Sequence, residues 1–150
     1  MTTTHNAAWP FELDKTENWA YWENAFTPDE CKQIIEIGNK KIPNKAVVFG
    51  EDQKIRDSEI AWLYYADEID WVFERMTNIA TSLNERFFKF DLFGFAEGLQ
   101  FTRYDAPAGK YGMHIDRVYG GVIRKLSMTI QLSDSSEYEG GDLMLQLGGE

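Results

Sequence analysis

The stretch YDAPAGKYGMHIDRVYGGVIRKLSMTIQLS, residues 104–133, decides how the rest of the chain is read. Its second half alternates: Ser127, Thr129 and Gln131 fall on one side of an extended chain, Leu126, Met128, Ile130 and Leu132 on the other. Period two is the signature of a β-strand with one buried face. The first half carries His114-Ile115-Asp116 behind a Pro/Gly turn. On a strand, positions i and i+2 share a face, roughly 7 Å apart at the Cα. His114 and Asp116 are therefore expected to project together, with Ile115 pointing into the opposite layer. An imidazole and a carboxylate so placed are either a hydrogen-bonded pair at a strand end or two of the three ligands of a facial 2-His-1-carboxylate metal site.

The alternation extends to both sides. FKFDLFGFAEGLQFTRYD (88–105), YGMHID (111–116), RKLSMTIQLS (124–133) and GGDLMLQL (140–147) read as strands separated by Gly, Pro, Asp and Ser turns. Upstream, the period changes to that of helices. FTPDECKQIIEIGNKK (26–41) carries a start signal, with Thr27 as N-cap, Pro28 at the first helical position and Glu30 closing a capping box. Cys31, Ile34, Ile35 and Gly38 share one face, which makes Cys31 a core thiol. KAVVFG (45–50) and RDSEIAWLYY (56–65) read as short strands around the turn GEDQK. A longer helix runs from Asp67 to about Phe87, with Ile69, Val72, Phe73, Met76, Ile79, Ala80 and Leu83 at helical spacing. Helices followed by a run of antiparallel strands give an α+β class, the helices packed on a sandwich or open barrel.

At 150 residues the chain is expected to form a single domain, 1–150, with residues 1–24 as an N-terminal arm that lays Trp9, Trp19 and Trp22 on it. Ten Phe, seven Tyr and five Trp supply the core. Fifteen Lys and Arg stand against 25 Asp and Glu, a net charge of −10, which opposes binding to nucleic acid or to an anionic membrane. No apolar run reaches membrane-spanning length, and MTTTHNAAWP lacks the basic and apolar regions of a signal peptide. A single Cys rules out an intrachain disulfide and a Cys-based zinc site. These features fit a protein of the cytoplasm.

The order of Tyr104, a Pro/Gly turn, Tyr111, His114 and Asp116, followed by Arg124-Lys125-Leu126-Ser127 and by YEGGDLMLQL (138–147), resembles the core of Fe(II)/2-oxoglutarate-dependent dioxygenases of the prolyl-hydroxylase type. FTPDECKQII, IRDSEIAWL and LQFTRYD look like the preceding helix and strands, so the resemblance runs from about Phe26 onward. It implies a double-stranded β-helix, a jelly-roll variant, with supporting N-terminal helices. It also implies Fe(II) as metal, 2-oxoglutarate and O₂ as cosubstrates, ascorbate as a possible reductant, and a protein or peptide substrate. His114 and Asp116 match the first two iron ligands and are the catalytic pair. Tyr104 matches a tyrosine that hydrogen-bonds 2-oxoglutarate, although a half-buried strand tyrosine is the plainer reading. Ser127, Thr129 and Gln131 match the cosubstrate wall, Gln131 standing where relatives often place a tyrosine near the distal carboxylate, and Leu143 would cap that pocket. Tyr111 and Arg56 would face the substrate; packing for Tyr111 and a salt bridge for Arg56 are the alternatives. Trp62 is either a further substrate-facing residue or, the favoured reading, a core tryptophan.

The family's second iron-binding His and the Lys or Arg for the far carboxylate follow the first pair by tens of residues. Here no His follows His114, and no Lys or Arg follows Lys125. His5 is the other His, and it is not expected to ligate. The core is therefore expected to continue beyond Glu150, and the 150-residue chain alone to be inactive. Two rival functions remain: a non-catalytic jelly-roll binding module that lacks the metal, and a nucleic-acid dealkylating dioxygenase, which the acidic charge disfavours.

Overall fold

The computed structural model describes residues 16–42, 56–66, 68–107, 109–116 and 123–146. The expected strand KAVVFG, the turn GEDQK, Trp9 and His5 lie outside the described residues.

Helix α1 spans Pro28–Lys41 and starts as its sequence dictates. Thr27 N donates to Glu30 Oε2 at 2.8 Å, and Glu30 N donates to Thr27 Oγ1 at 3.3 Å. This reciprocal box satisfies two N–H groups that the first turn leaves without helical partners. Glu30 does a second job. Its carboxylate takes both guanidinium nitrogens of Arg75, at 2.8 and 3.1 Å, while Arg75 Nη1 also donates to Ala25 O. Arg75 lies on α2, Asp70–Leu83, so one fork ties the start of α1 to the second helix. The apolar stripe of α2 is buried as its spacing requires, with Ile69, Val72, Phe73, Met76 and Ile79 inside. Leu83 and Ala80, at the edge of the stripe, are half-buried. Burial pushes the half-buried Cys31 thiol up, and the residue packs against the core as expected.

The helix does not end at Leu83 but widens into a π-helical segment, Asn84–Phe88. Lys89 closes it in the left-handed conformation, φ 56°. Asn84, buried, donates from Nδ2 to Phe90 O at 2.7 Å and accepts from Phe90 N at 2.9 Å. The side chain thus replaces the backbone partners that the departing chain loses. The arm is tethered here as well, since Glu17 N donates to Phe87 O at 2.9 Å. Trp19 and Trp22 remain half exposed, so the described part of the arm, residues 16–24, does not bury them.

The sheet is small. Strand β1, Arg56–Asp57, pairs antiparallel with β4, Lys110–Tyr111; β2, Glu59–Leu63, pairs antiparallel with β3, Leu99–Arg103. In the second pair Ala61 stands opposite Phe101, and both are buried with Leu63 against α1 and α2. Trp62 is 38 % exposed, which corrects the reading of it as a core residue. The reason is the pleat: Ala61 and Leu63 take the inward face, so their neighbour faces out. Helix α1 approaches the sheet through Gly38, on which the Phe101 ring sits; a Cβ there would stand no farther than 2.6 Å from Cγ, Cδ1 and Cδ2. The glycine is what lets the helix lie on the ring.

Between the two strand pairs the chain bulges through Tyr104–Gly109, the turn that precedes the HID triplet. Gly109 N donates to Asp105 O at 2.9 Å, and a Cβ at Gly109 would meet Asp105 N at 2.7 Å, so the turn closes only over a glycine. Beyond β4 the structure departs from the expected strands. Residues 89–98, 112–116, 123–133 and 141–146 join no ladder among the described residues; Ser135–Glu137 form a single 3-10 turn. Alternation suggests which side chains turn inward but not which backbone supplies their hydrogen bonds, and here the inward face is met only in part, since Met128, expected on it, is exposed. Leu126, Ile130 and Leu132 are half-buried, the last two against the core, while Ser127, Thr129 and Gln131 are exposed. No helix among the described residues is long and apolar enough to cross a membrane.

Candidate metal centre

The Tyr104–Gly109 bulge delivers β4 beside β1, and Tyr111 is thereby paired with Arg56. The two residues expected on the substrate side are neighbours in register, though the Arg56 side chain lies outside what is described. Tyr111 then packs its ring on that of His114, centroids 3.7 Å apart and planes inclined by 19°. The stack and the backbone together hold the imidazole from two directions. His114 Nδ1 lies 2.8 Å from Gly112 O. A carbonyl oxygen can only accept, so Nδ1 carries the hydrogen and donates it. In the neutral ring Nε2 then presents a lone pair.

That lone pair faces a carboxylate. Nε2 lies 3.2 Å from Asp116 Oδ1, so the two side chains meet although residues 112–116 form no strand. Two acceptors at that separation repel unless a positive centre lies between them. A second proton on the imidazole is one such centre, and a metal ion is the other. The distance suits the metal: two cis ligands at about 2.1 Å from an octahedral ion are separated by roughly 3.0 Å. A ring fixed by Nδ1–H to a backbone carbonyl, with Nε2 left for the metal, is the usual state of a ligating histidine. Both side chains are accessible, 35 % for His114 and 44 % for Asp116. Ile115 is 74 % exposed and does not enter an opposite layer, because no described strand lies behind it.

Arg124 stands at the far side of Asp116. Its Nη1 is 3.7 Å from Asp116 Oδ2, and its Nη2 is ion-paired with Glu97 Oε1. Arg124 sits in the Arg-x-Leu-Ser phrase, so its presence was visible in the sequence while its partner was not. Glu97 comes from the irregular segment before β3, and nothing local marks it.

The remaining site residues are less assembled. Tyr104 is 47 % exposed at the start of the bulge. Ser127, Thr129 and Gln131 are exposed together on the outer side of their segment, and Gln131 Nε2 donates to the Tyr138 hydroxyl at 3.1 Å. Leu143, expected as the cap of the pocket, is 70 % exposed. Among the described residues no group of three His, Cys, Asp or Glu is placed to hold a metal, so His114 and Asp116 stand as a pair.

Fifty residues of the chain, 33 % of its length, are 48 % identical to part of a PKHD-type hydroxylase of Prochlorococcus marinus (strain MIT 9211). The matched part is 22 % of that protein, so the chain spans about a fifth of the length of the curated relative it matches. No family model matches the chain, and no solved structure does. A third of the chain is thus similar to a protein named as a hydroxylase.

Proposed function

We propose that this chain carries part of the active centre of an Fe(II)- and 2-oxoglutarate-dependent dioxygenase that hydroxylates a C–H bond of a protein or peptide substrate, a peptidyl proline or a similar residue. The observation that carries the reading is the His114–Asp116 pair, with Nδ1 committed to Gly112 O and Nε2 set 3.2 Å from Oδ1, close to an octahedral edge of roughly 3.0 Å. The 48 % identity over 50 residues to a PKHD-type hydroxylase supports it, as does the run of motif positions from Tyr104 to Leu143. A double-stranded β-helix core, cytoplasmic and free of nucleic-acid or membrane partners, belongs to the same proposal.

His114 and Asp116 would hold the iron. When bound, iron with 2-oxoglutarate and O₂ supplies an oxidation that turns the cosubstrate into succinate and CO₂ and hydroxylates the substrate. The protein's share is geometry. Tyr111 and the Gly112 carbonyl lock the imidazole plane, so its lone pair keeps one direction. Asp116 offers a single oxygen towards that same point. Tyr104, Ser127, Thr129 and Gln131 supply hydroxyl and amide donors for the carboxylates of 2-oxoglutarate, and Leu143 an apolar cover. The second reading, a binding module without metal, is favoured by one observation: the pair also suits an imidazole protonated on both nitrogens and ion-paired with Asp116.

The test is titration with Co(II), an air-stable substitute for Fe(II), followed by calorimetry and by the backbone amide NMR signals of residues 112–116. Specific broadening of those signals is expected, with affinity reduced at least about tenfold in His114→Ala and in Asp116→Ala, since either change halves the protein ligands. Equal Co(II) affinity in the wild type and both variants would leave the metal-free module as the function.

A further inference from the structure

The geometry points to Arg124 as a positioning residue that reserves one oxygen of Asp116, so that the carboxylate meets the metal through the other oxygen alone. This rests on the metal reading of His114 and Asp116. The two oxygens of Asp116 are differently employed: Oδ1 faces His114 Nε2 at 3.2 Å, and Oδ2 faces Arg124 Nη1 at 3.7 Å. A lone carboxylate rotates freely about its last bond and offers both oxygens equally. With a guanidinium on one side it has a preferred orientation, and the oxygen beside the imidazole is the one left over.

Three further observations support the assignment. Arg124 is 21 % exposed, less than its carboxylate partners Glu97 (47 %) and Asp116 (44 %), so its position is held by packing. Its planar fork is used in two directions, Nη2 to Glu97 and Nη1 towards Asp116, which a point charge could not do. Lys125, its neighbour, points elsewhere: its ammonium donates to Asp91 O and lies 5.3 Å from the centre of the Phe93 ring. Of these two adjacent cations one is therefore aimed at the site. Glu97 has a definite part as well. A bare guanidinium beside a divalent ion would repel it, and pairing with Glu97 offsets that charge while leaving the hydrogen-bonding geometry intact.

The sign of the effect separates positioning from plain electrostatics. If Arg124 acts only as a nearby positive charge, its removal strengthens cation binding. If it orients Asp116 through their ion pair, its removal weakens binding, by about tenfold, as loss of an outer partner of a metal ligand does elsewhere. The experiment is Co(II) titration of the 150-residue chain, read by calorimetry and by broadening of the backbone amide signals of residues 112–116, for the wild type, Arg124→Met, Arg124→Lys, Glu97→Gln and His114→Ala. We expect about tenfold weaker binding in Arg124→Met, a comparable loss in Arg124→Lys, whose single ammonium cannot take both fork positions, and a smaller loss in Glu97→Gln. Equal or tighter binding in Arg124→Met, with His114→Ala still losing the site, overturns the inference and leaves the metal reading standing. Wild-type affinity in His114→Ala overturns both. Should Arg124→Met fail to fold, as a thermal melt would reveal, the pair Arg124→Lys and Glu97→Gln decides: unchanged or tighter binding in both overturns the assignment.

Discussion

Gly38→Ala sets two familiar effects against each other. In the interior of a helix, alanine in place of glycine is worth about 1 kcal/mol in favour of folding. At Gly38, however, the new methyl would stand within 2.6 Å of three ring atoms of Phe101. Carbon atoms pack at about 3.5–4.0 Å, so helix and ring must separate by roughly 1 Å. Phe101 cannot easily yield, because its strand is paired with β2 at Ala61 and the ring is buried. Overpacking of this kind costs about 1–3 kcal/mol, and with little room to relax the upper half of that range applies. The net expectation is a loss of about 1–2 kcal/mol, read as a lower midpoint in urea unfolding followed by tryptophan fluorescence. A double-mutant cycle isolates the cause: with Phe101→Leu in the background, Gly38→Ala should cost at least about 1 kcal/mol less than alone. Stabilisation by about 1 kcal/mol in the single variant, the propensity result, would refute the claim that α1 rests on the Phe101 ring through Gly38.

Two further perturbations probe the frame that carries the site. The Arg75 hydrogen bond, aided by the Thr27 backbone N–H, lowers the Glu30 carboxyl from its ordinary 4.5 to about 2. Because the folded value is the lower one, the contribution of Glu30 to stability is complete above about pH 4.5 and is lost as pH falls towards 2. Wild type and Glu30→Gln should therefore differ in melting temperature at pH 6 and converge in that acid window; a constant difference would count against the Glu30–Arg75 fork. Asn84→Ala strips two hydrogen bonds from the Phe90 backbone at the end of the π-helical segment and should cost about 1–3 kcal/mol. The Phe90 amide should lose protection from hydrogen exchange, and retained protection would show that another group holds that turn.

Part of the local chemistry was legible in the sequence. The capping box at Thr27 and Glu30, the inward stripe of α2, and the inward turn of Ile130 and Leu132 all follow from spacing. Each depends only on bonds and angles within a few residues. What lies between segments was not legible. The sequence names Arg56 and Tyr111 separately, but only the antiparallel register of β1 and β4 makes them neighbours. It shows Arg124 in a motif, yet only the packing of the segment before β3 brings Glu97 to it. Trp62 illustrates the limit: its apolar size suggested the core, while the pleat set by Ala61 and Leu63 turned it outward. A residue's type and period tell which way its side chain faces along its own element. Which surface it then meets depends on pairings between parts of the chain distant in sequence, and those are decided only when the tertiary structure forms.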